Sequence, residues 1–295
     1  MSRASDGRST LSRHLELLEA FTVDHPFLGV ADLARRSGLA LSTTHSLLTD
    51  LERHGLVERR DDRTYRLGVR LWELASRTPG ALGLREVALP HLQRVHEAVR
   101  QHVQLGILNG TDVLFLERLS FRHAVVSATI VGGRLPLHAS ATGLVLLADA
   151  DEATREAVLA GQLVALTEHT IHDADELRRA LHRVRRQRYA ITNGHIHPSA
   201  RGIAVPVTGA AGATVAASGA VVPNDEAPAA PIVDALRQTA ARITADLRAA
   251  ALPERHPDAG PGGRYRALVH SSDQSMDYLA RGGASGPPPK TPSTT

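Results

Sequence analysis

The sequence has 295 residues, of which 42% are hydrophobic and only 3% aromatic, so aliphatic side chains must build its cores. It contains no cysteine, which excludes disulfides, thiolate nucleophiles and cysteine-ligated metal centres. The formal net charge is only +3, and neither a secretion signal nor an apolar run of roughly 20 residues is present, so we expect a cytoplasmic protein without a membrane partner.

The N-terminal quarter predicts a compact helical unit. Residues 1–10 are polar and are expected to be disordered. Apolar residues at helical spacing then predict three helices, and two short extended pieces follow them, joined by a polar turn. The segments, in order, are helices over 11–22, 30–37 and 41–54 and extended pieces over 56–58 and 64–67. Three helices followed by a hairpin predict a winged helix-turn-helix over residues 11–68.

The remainder of the chain mixes helices and strands. Residues 69–83 are predicted to form a linker helix, and residues 84–250 an α+β domain. Residues 251–295 are rich in Pro, Gly and Ser and are expected to be a disordered tail. Within the second domain the patterns predict strands over 102–108, 112–118, 123–131, 203–207 and 214–222, and helices over 141–148, 151–160, 173–187 and 231–249.

The third predicted helix has one apolar and one polar face, as a helix that enters the DNA major groove requires. Short polar residues near its N-terminus would let the backbone approach base edges, and hydroxyl groups would bind phosphates. The alternative is a solvated face whose hydroxyls serve as helix caps in a protein-interaction module. The candidate DNA-contacting residues of this helix are Ser42, Thr43, His45, Ser46, Thr49 and Arg53.

A local basic patch follows this helix. Residues 53–70 contain six arginines and three acidic residues, whereas the rest of the N-terminal region is not basic. Arg59, Arg60 and Arg63 lie in the predicted hairpin, where they would reach flanking phosphates or the minor groove.

Four motifs, in order along residues 9–250, resemble the IclR family. Residues 33–48 read LARRSGLALSTTHSLL, which is similar to that family's helix-turn-helix, and LERHGLVER at 51–59 with YRLG at 65–68 is similar to its wing. In the second domain, LPLHASATG at 135–143 resembles one family motif. YAI at 189–191 with IAVPV at 203–207 resembles another.

This resemblance implies a sequence-specific transcriptional regulator, which we expect to be a repressor. It implies a GAF-like second domain that binds a small effector, often an organic acid or an aromatic compound, and a homodimer or homotetramer on a palindromic double-stranded operator. No cofactor is expected. The family often has Lys where Leu41 stands and Arg where Ser46 stands. The absence of this Lys and this Arg indicates a different operator, or a larger contribution of the wing arginines to DNA binding.

The resemblance also places the effector site. By motif it comprises Thr142, Gly143, Thr192, Asn193, Gly202, Ser218 and Val221. Compared with relatives that bind small carboxylates, this set is less polar and leaves more room, which favours an aromatic or otherwise larger effector over glyoxylate or pyruvate. Gly143 has an alternative interpretation as a helix-packing glycine.

The sequence is compatible with two further functions. If His195 and His197 lay on a strand, their imidazoles would share a face and could form half of a metal site with His138, His169 or His172, as in a metal-dependent hydrolase. We expect instead that these histidines are solvated in a loop and bind no metal, because the sequence contains no hydrolase motif and no phosphate-binding loop. The other alternative is an effector-independent DNA-binding protein that acts through partners.

Overall fold

The computed structural model describes residues 9–22, 24–75, 81–209 and 211–250. The chain divides into two compact units, Met1–Thr78 and Pro79–Thr295, which are described separately. The predicted disordered tail at 251–295 lies outside the described residues, as do residues 1–8 of the predicted disordered N-terminus. Within the described ranges, no helix is both long enough and apolar enough to cross a membrane.

The first unit is a winged helix-turn-helix, as predicted. Ser9 caps its first helix by accepting a hydrogen bond from the Ser12 N–H. Gly38 joins the second and third helices with φ of 67°, a left-handed conformation that favours glycine. The elements are α1 (Thr10–Glu19), α2 (Val30–Ser37), α3 (Leu41–Arg53), β1 (Val57–Arg59), β2 (Tyr65–Leu67) and α4 (Val69–Ala75).

The core of the first unit joins its helices to the wing. β1 and β2 pair antiparallel, and Leu28 pairs with Tyr65 beside them. Because the hairpin packs on this core, the wing has a fixed position relative to α3. The buried core residues are Leu17, Ala20, Phe21, Leu28, Leu33, Leu47, Leu48, Leu51, Val57 and Tyr65.

The second unit contains a six-stranded antiparallel sheet of order β5-β4-β3-β8-β7-β6. Helices cover both of its faces, which confirms the predicted mixed α+β class. Its elements are α5 (Ala81–Val99), β3 (His102–Asn109), β4 (Asp112–Leu119), β5 (Arg134–Pro136), a 3-10 turn (Leu137–Ala139), α6 (Ala141–Ala148), α7 (Glu152–Ala160), α8 (Ala174–Gln187), β6 (Ala190–Asn193), β7 (Ala200–Thr208), β8 (Thr214–Pro223) and α9 (Ala230–Ala250).

Strand alternation decides which side chains face which helices. Val103 and Leu105 of β3 pack in a core with α5 and α9, so Gln104 between them faces α6 on the other side. Every residue of α6 is buried, because this helix lies between the sheet and α8. The start of α6 therefore lies against the middle of the sheet.

The structure differs from the prediction at two strands. The predicted strand over 123–131 is an irregular loop, because β5 takes the place beside β4, pairing Leu135 with Val113. The strand Ala190–Asn193 was not predicted. The predicted linker helix over 69–83 coincides with α4 and the first residues of α5, and residues 76–80 lie outside the described part of the chain.

Candidate functional site

The exposed face of α3 carries the predicted DNA-contacting residues. Thr44 is buried among the leucines of the opposite face, and its hydroxyl donates to the Ala40 carbonyl at 3.1 Å. Residue Ala40 begins the helix without any side-chain cap, so the hydroxyls of the first turn are not used as caps. The first-turn N–H groups and hydroxyls are thus available to an anionic ligand such as a phosphate. Ser42, His45, Ser46, Thr49 and Arg53 are exposed, and Thr43 is half-buried.

Ion pairs divide the arginines of α3 and the wing into two groups. Arg53 pairs with Asp50, Arg60 with Asp62 at 3.0 Å, and Arg66 with Glu58 at 2.7 Å. Among the described residues, by contrast, the guanidinium groups of Arg59 and Arg63 have no carboxylate partner; Arg59 lies only over the Tyr65 ring, 6.0 Å from its centroid. The unneutralised positive charge of the wing is therefore carried by Arg59 and Arg63.

The tip of the wing is held rigidly. Asp62 accepts hydrogen bonds from the Thr64 N–H at 3.0 Å and from the Thr64 hydroxyl at 2.6 Å, and these bonds lower its pKa. Arg60, besides pairing with Asp62, lies 4.4 Å from the centroid of the Phe27 ring. Arg63 has φ of 63° at the turn. The hairpin thus presents Arg63 at its tip in a fixed backbone conformation.

The second unit contains a recess between the start of α6, the sheet and the loop that precedes β5. The cavity measures about 40 Å³, and about 440 Å³ of space, including open solvent at its mouth, lies between its walls. Among the described residues, no Lys, Arg, Asp or Glu side chain lines this recess. Its lining residues are Gln104, Val126, Ser127, Ala128, Thr129, Leu135, Ser140, Ala141, Thr192, His195, Ile196, Ala200, Gly202 and Val221.

The structure brings three of the predicted effector residues together. Thr192, Gly202 and Val221 all line the recess, from β6, β7 and β8. Gly202 has no side chain to fill the recess, because a Cβ there would lie 2.6 Å from the Thr192 hydroxyl oxygen and 3.4 Å from the Ala141 Cβ. Glycine at this position thus leaves the space beside the start of α6 unfilled.

The other four predicted residues lie away from the recess wall. Thr142 is buried behind it, and a Cβ on Gly143 would lie 2.1 Å from the Leu137 carbonyl oxygen, as expected of a packing glycine. Asn193 is exposed and accepts a hydrogen bond from Arg201 at 2.9 Å. Ser218 pairs in register with Leu105, on the face covered by α5 and α9.

Gln104 lines the recess and was not predicted. It is only 4% exposed, and its amide nitrogen donates to the Thr142 hydroxyl at 3.1 Å. The alternation of Val103, Leu105 and Ile107 predicts a strand and places Gln104 on the face opposite these three residues. This polar residue between apolar strand residues was the signal that could have identified Gln104. The loop residues 126–129 were missed because a strand was predicted there.

The histidines do not form the strand pair that a metal site would use. β6 ends at Asn193, and Gly194 has φ of 71°, so His195 and His197 lie in a loop. His197 contacts the Ser199 hydroxyl through Nδ1 at 2.8 Å. His138 is buried, with Nε2 3.1 Å from the Val164 carbonyl oxygen. Across the ranges that the structure describes, no three His, Asp or Glu residues are arranged to hold a metal ion.

The half-buried position of His195 predicts a pH dependence of stability. Burial, with smaller contributions from His169 and His138, lowers its pKa from 6.5 to about 4. Because the unfolded chain then binds more protons, stability is complete above about pH 6.5 and falls as the pH decreases toward 4. Replacing His195→Gln should reduce the proton uptake on unfolding by about one in this window.

Urea denaturation of the wild type and of the His195→Gln variant between pH 4 and 8 measures this effect. His96 and His102 also have lowered pKa values, caused mainly by burial, so the variant should keep a residual pH dependence. Parallel pH profiles for the two proteins would show that His195 is protonated equally in the folded and unfolded states.

Comparison with known families agrees with this architecture. Residues 10–61 match the IclR helix-turn-helix domain, and residues 78–245 match the family described as bacterial transcriptional regulator IclR C-terminal. The chain is 33% identical over 200 residues to the HTH-type transcriptional regulator XynR of Escherichia coli, covering 67% of this chain and 79% of XynR. It is 31% identical over 246 residues to BhcR of Paracoccus denitrificans, covering 81% and 88%.

Solved structures show the same relationship. An IclR homologue from Microbacterium hydrocarbonoxydans, crystallised in complex with 4-hydroxybenzoate, is 45% identical with a TM-score of 0.78, covering 82% of this chain and 100% of that chain. A further IclR homologue, from Microbacterium sp. strain HM58-2, is 43% identical with a TM-score of 0.55, covering 82% and 99%.

The relatives are regulators and not enzymes, which overturns the metal-dependent hydrolase considered from the histidines. The chain belongs to the IclR family of bacterial transcriptional regulators, with a DNA-binding helix-turn-helix domain and a C-terminal effector-binding domain.

Proposed function

We propose that this regulator binds a palindromic operator and that a small aromatic acid, bound in the recess of the second unit, controls that binding. The exposed face of α3 reads base edges, and the unpaired wing arginines contact flanking phosphates. The observation that carries the effector assignment is the recess itself: a small, mostly apolar wall with a few inward polar groups.

The chemistry of the recess favours an aromatic acid over glyoxylate or pyruvate. A small carboxylate has little apolar surface to place against a wall that is mostly apolar. Valine, alanine, leucine and isoleucine side chains instead match the faces of a flat ring. The 4-hydroxybenzoate complex of the Microbacterium hydrocarbonoxydans homologue supports the same ligand class.

Calorimetric titration of the full chain with 4-hydroxybenzoate and with glyoxylate tests this assignment. We expect saturable binding of 4-hydroxybenzoate and none of glyoxylate at the same concentrations. Binding of glyoxylate alone would overturn the aromatic class. Binding of no compound in a broad library would favour the effector-independent regulator instead.

Among the residues of α3, His45 is expected to contribute to base recognition. It is exposed beside Ser46 on the polar face, and an imidazole can donate to or accept from base edges. His45→Ala should reduce the preference for operator over unrelated DNA by about tenfold, with little effect on non-specific affinity. Competition binding with both DNAs measures it, with His54→Ala, exposed at the end of α3, as control. Equal losses on both DNAs would exclude base reading by His45.

Exposed apolar residues in the first unit support self-association into a homodimer or homotetramer. Trp72 is 70% exposed and Val69 65% exposed on α4, which buries no residue in the monomer. Trp72→Gln should therefore weaken self-association about tenfold or more, because large aromatic residues dominate such contacts. Sedimentation equilibrium measures this, with circular dichroism to confirm folding. An unchanged dissociation constant would place the interface elsewhere.

We also propose repression as the sign of regulation and the cytoplasm as the location. Repression requires only occupancy of the operator, which the DNA-binding surface supplies, whereas activation requires a further surface for the polymerase. A reporter gene behind the operator should be active without the protein and inactive with it. The reverse result would identify an activator.

A further inference from the structure

One exposed leucine stands at the start of the helix that carries the proposed base contacts. Leu41 is the first residue of α3, and it is 59% exposed. The other leucines of this helix, Leu47, Leu48 and Leu51, are buried in the core of the first unit. Leu39, two residues before Leu41, also packs against that core. Leu41 instead extends into solvent, where burial in the core cannot account for an apolar side chain.

Leu41 lies on the same side of α3 as His45. Residues four positions apart stand one above the other on a helix, so His45 follows Leu41 by one turn. His45 is exposed, as are Ser42 and Ser46. A helix of this motif that enters the major groove presents its N-terminal residues to the base edges. Leu41 is therefore placed among the proposed base-contacting residues, at the N-terminal end of the helix.

The leucine side chain restricts what Leu41 can contact in the groove. It has no hydrogen-bond donor or acceptor. Packing it against a phosphate or a polar atom of a base would remove water from that atom without replacing the lost hydrogen bond. The apolar group that base pairs present in the major groove is the C5-methyl group of thymine. An exposed leucine in the groove is thus complementary to thymine.

We propose that Leu41 contacts the C5-methyl group of one thymine in each half-site of the operator. Cytosine at the same position lacks the methyl group and brings its N4 amino group near the leucine, which offers it no acceptor. The contact therefore selects thymine over cytosine. This inference rests on the proposed base reading by α3, and it names the base that one residue of the helix selects.

Replacement of thymine by deoxyuridine tests the contact, because it removes the methyl group and leaves every hydrogen-bonding atom in place. The DNA is the fragment upstream of the gene that the full chain retains, narrowed to the operator by footprinting. Each symmetric pair of thymines is replaced in turn, and fluorescence anisotropy measures the affinity. For the wild type we expect at least one pair whose replacement weakens binding by about 10- to 20-fold, from about fourfold for each methyl group.

Leu41→Ala connects this loss to the leucine. In this variant, replacement of the same thymine pair should weaken binding by about threefold or less, because the alanine side chain is too short to cover the methyl group. Alanine has the highest helix propensity, and Leu41 is exposed, so α3 should stay folded. Thermal denaturation verifies this, and the thymine replacements on the wild type stand without any variant.

Leu11→Ala is the matched control. Leu11 is 67% exposed on α1, so this variant also shortens an exposed leucine of the first unit, but outside α3. It should keep the full loss of affinity when the thymine pair is replaced. A change in self-association caused by either variant would alter the affinity for both DNAs alike and would leave the ratio between them unchanged.

The outcomes separate the thymine contact from the proposed function. If the wild type retains the operator and no thymine replacement weakens binding, the contact is overturned while operator binding stands. A loss that persists in Leu41→Ala, or that disappears equally in Leu11→Ala, would overturn the assignment to Leu41. Absence of any specific retention would overturn the proposed operator binding, and the thymine contact with it.

Discussion

Replacing Arg59 and Arg63 together by alanine should weaken operator binding by about 10- to 100-fold near physiological salt. Their guanidinium groups have no carboxylate partner among the described residues, so each can neutralise a phosphate. Losing two phosphate contacts should also reduce the slope of log affinity against log salt by about 1.8. Fluorescence anisotropy on the operator, repeated at several salt concentrations, measures both effects.

The control for this variant removes an ion pair from the same hairpin without changing its net charge. Arg66 already pairs with Glu58, so Glu58→Gln with Arg66→Gln should leave the salt slope unchanged. The side-chain amide that Glu58→Gln introduces keeps a carbonyl oxygen, which can still accept the hydrogen bond that Glu58 receives from the Val69 N–H. If both double variants shift the slope equally, the wing does not act through its unpaired arginines.

The second large effect is expected at Gly143, where one methyl group should destabilise the effector-binding domain. A Cβ there would lie 2.1 Å from the Leu137 carbonyl oxygen and 2.7 Å from its carbonyl carbon. These are backbone atoms, so rotation of a side chain cannot relieve the contact. Gly143→Ala should lower the free energy of unfolding by about 3 kcal/mol, and the melting temperature by about 6–12 °C.

Gly83 provides the opposite case for comparison. It lies inside α5, and beyond the backbone of that helix no atom of the described residues lies within 4 Å of an added Cβ. Gly83→Ala should therefore be neutral or stabilise by up to about 1 kcal/mol. Differential scanning calorimetry of the two variants measures the contrast. A stable Gly143→Ala protein would mean that α6 can shift away from the turn at Leu137.

The sequence predicted the first unit well because its signals are local. Helical spacing of the leucines, Gly38 at the turn and the polar hairpin each depend on neighbouring residues. In the second unit the helices were found for the same reason. The strand predicted at 123–131 was wrong, since β-branched residues show extended propensity but cannot reveal that β5 already takes the place beside β4.

Prediction of the residues that line the recess was partial for a related reason. Motif similarity located Thr192, Gly202 and Val221, yet a shift of one residue along a strand changes the face of the sheet. Asn193 and Ser218 therefore fall on the side away from the recess. Gln104 belongs to no motif, and only the packing of α6 against β3 places it at the recess.

The central claim is that an aromatic acid controls specific DNA binding by this protein. The most direct measurement is a gel shift with the DNA upstream of its own gene, against an unrelated competitor, with and without 4-hydroxybenzoate. We predict specific retention without the compound and a change in affinity of about tenfold or more with it. Specific retention that 4-hydroxybenzoate leaves unchanged at saturation, or no retention even at low salt, would contradict the account.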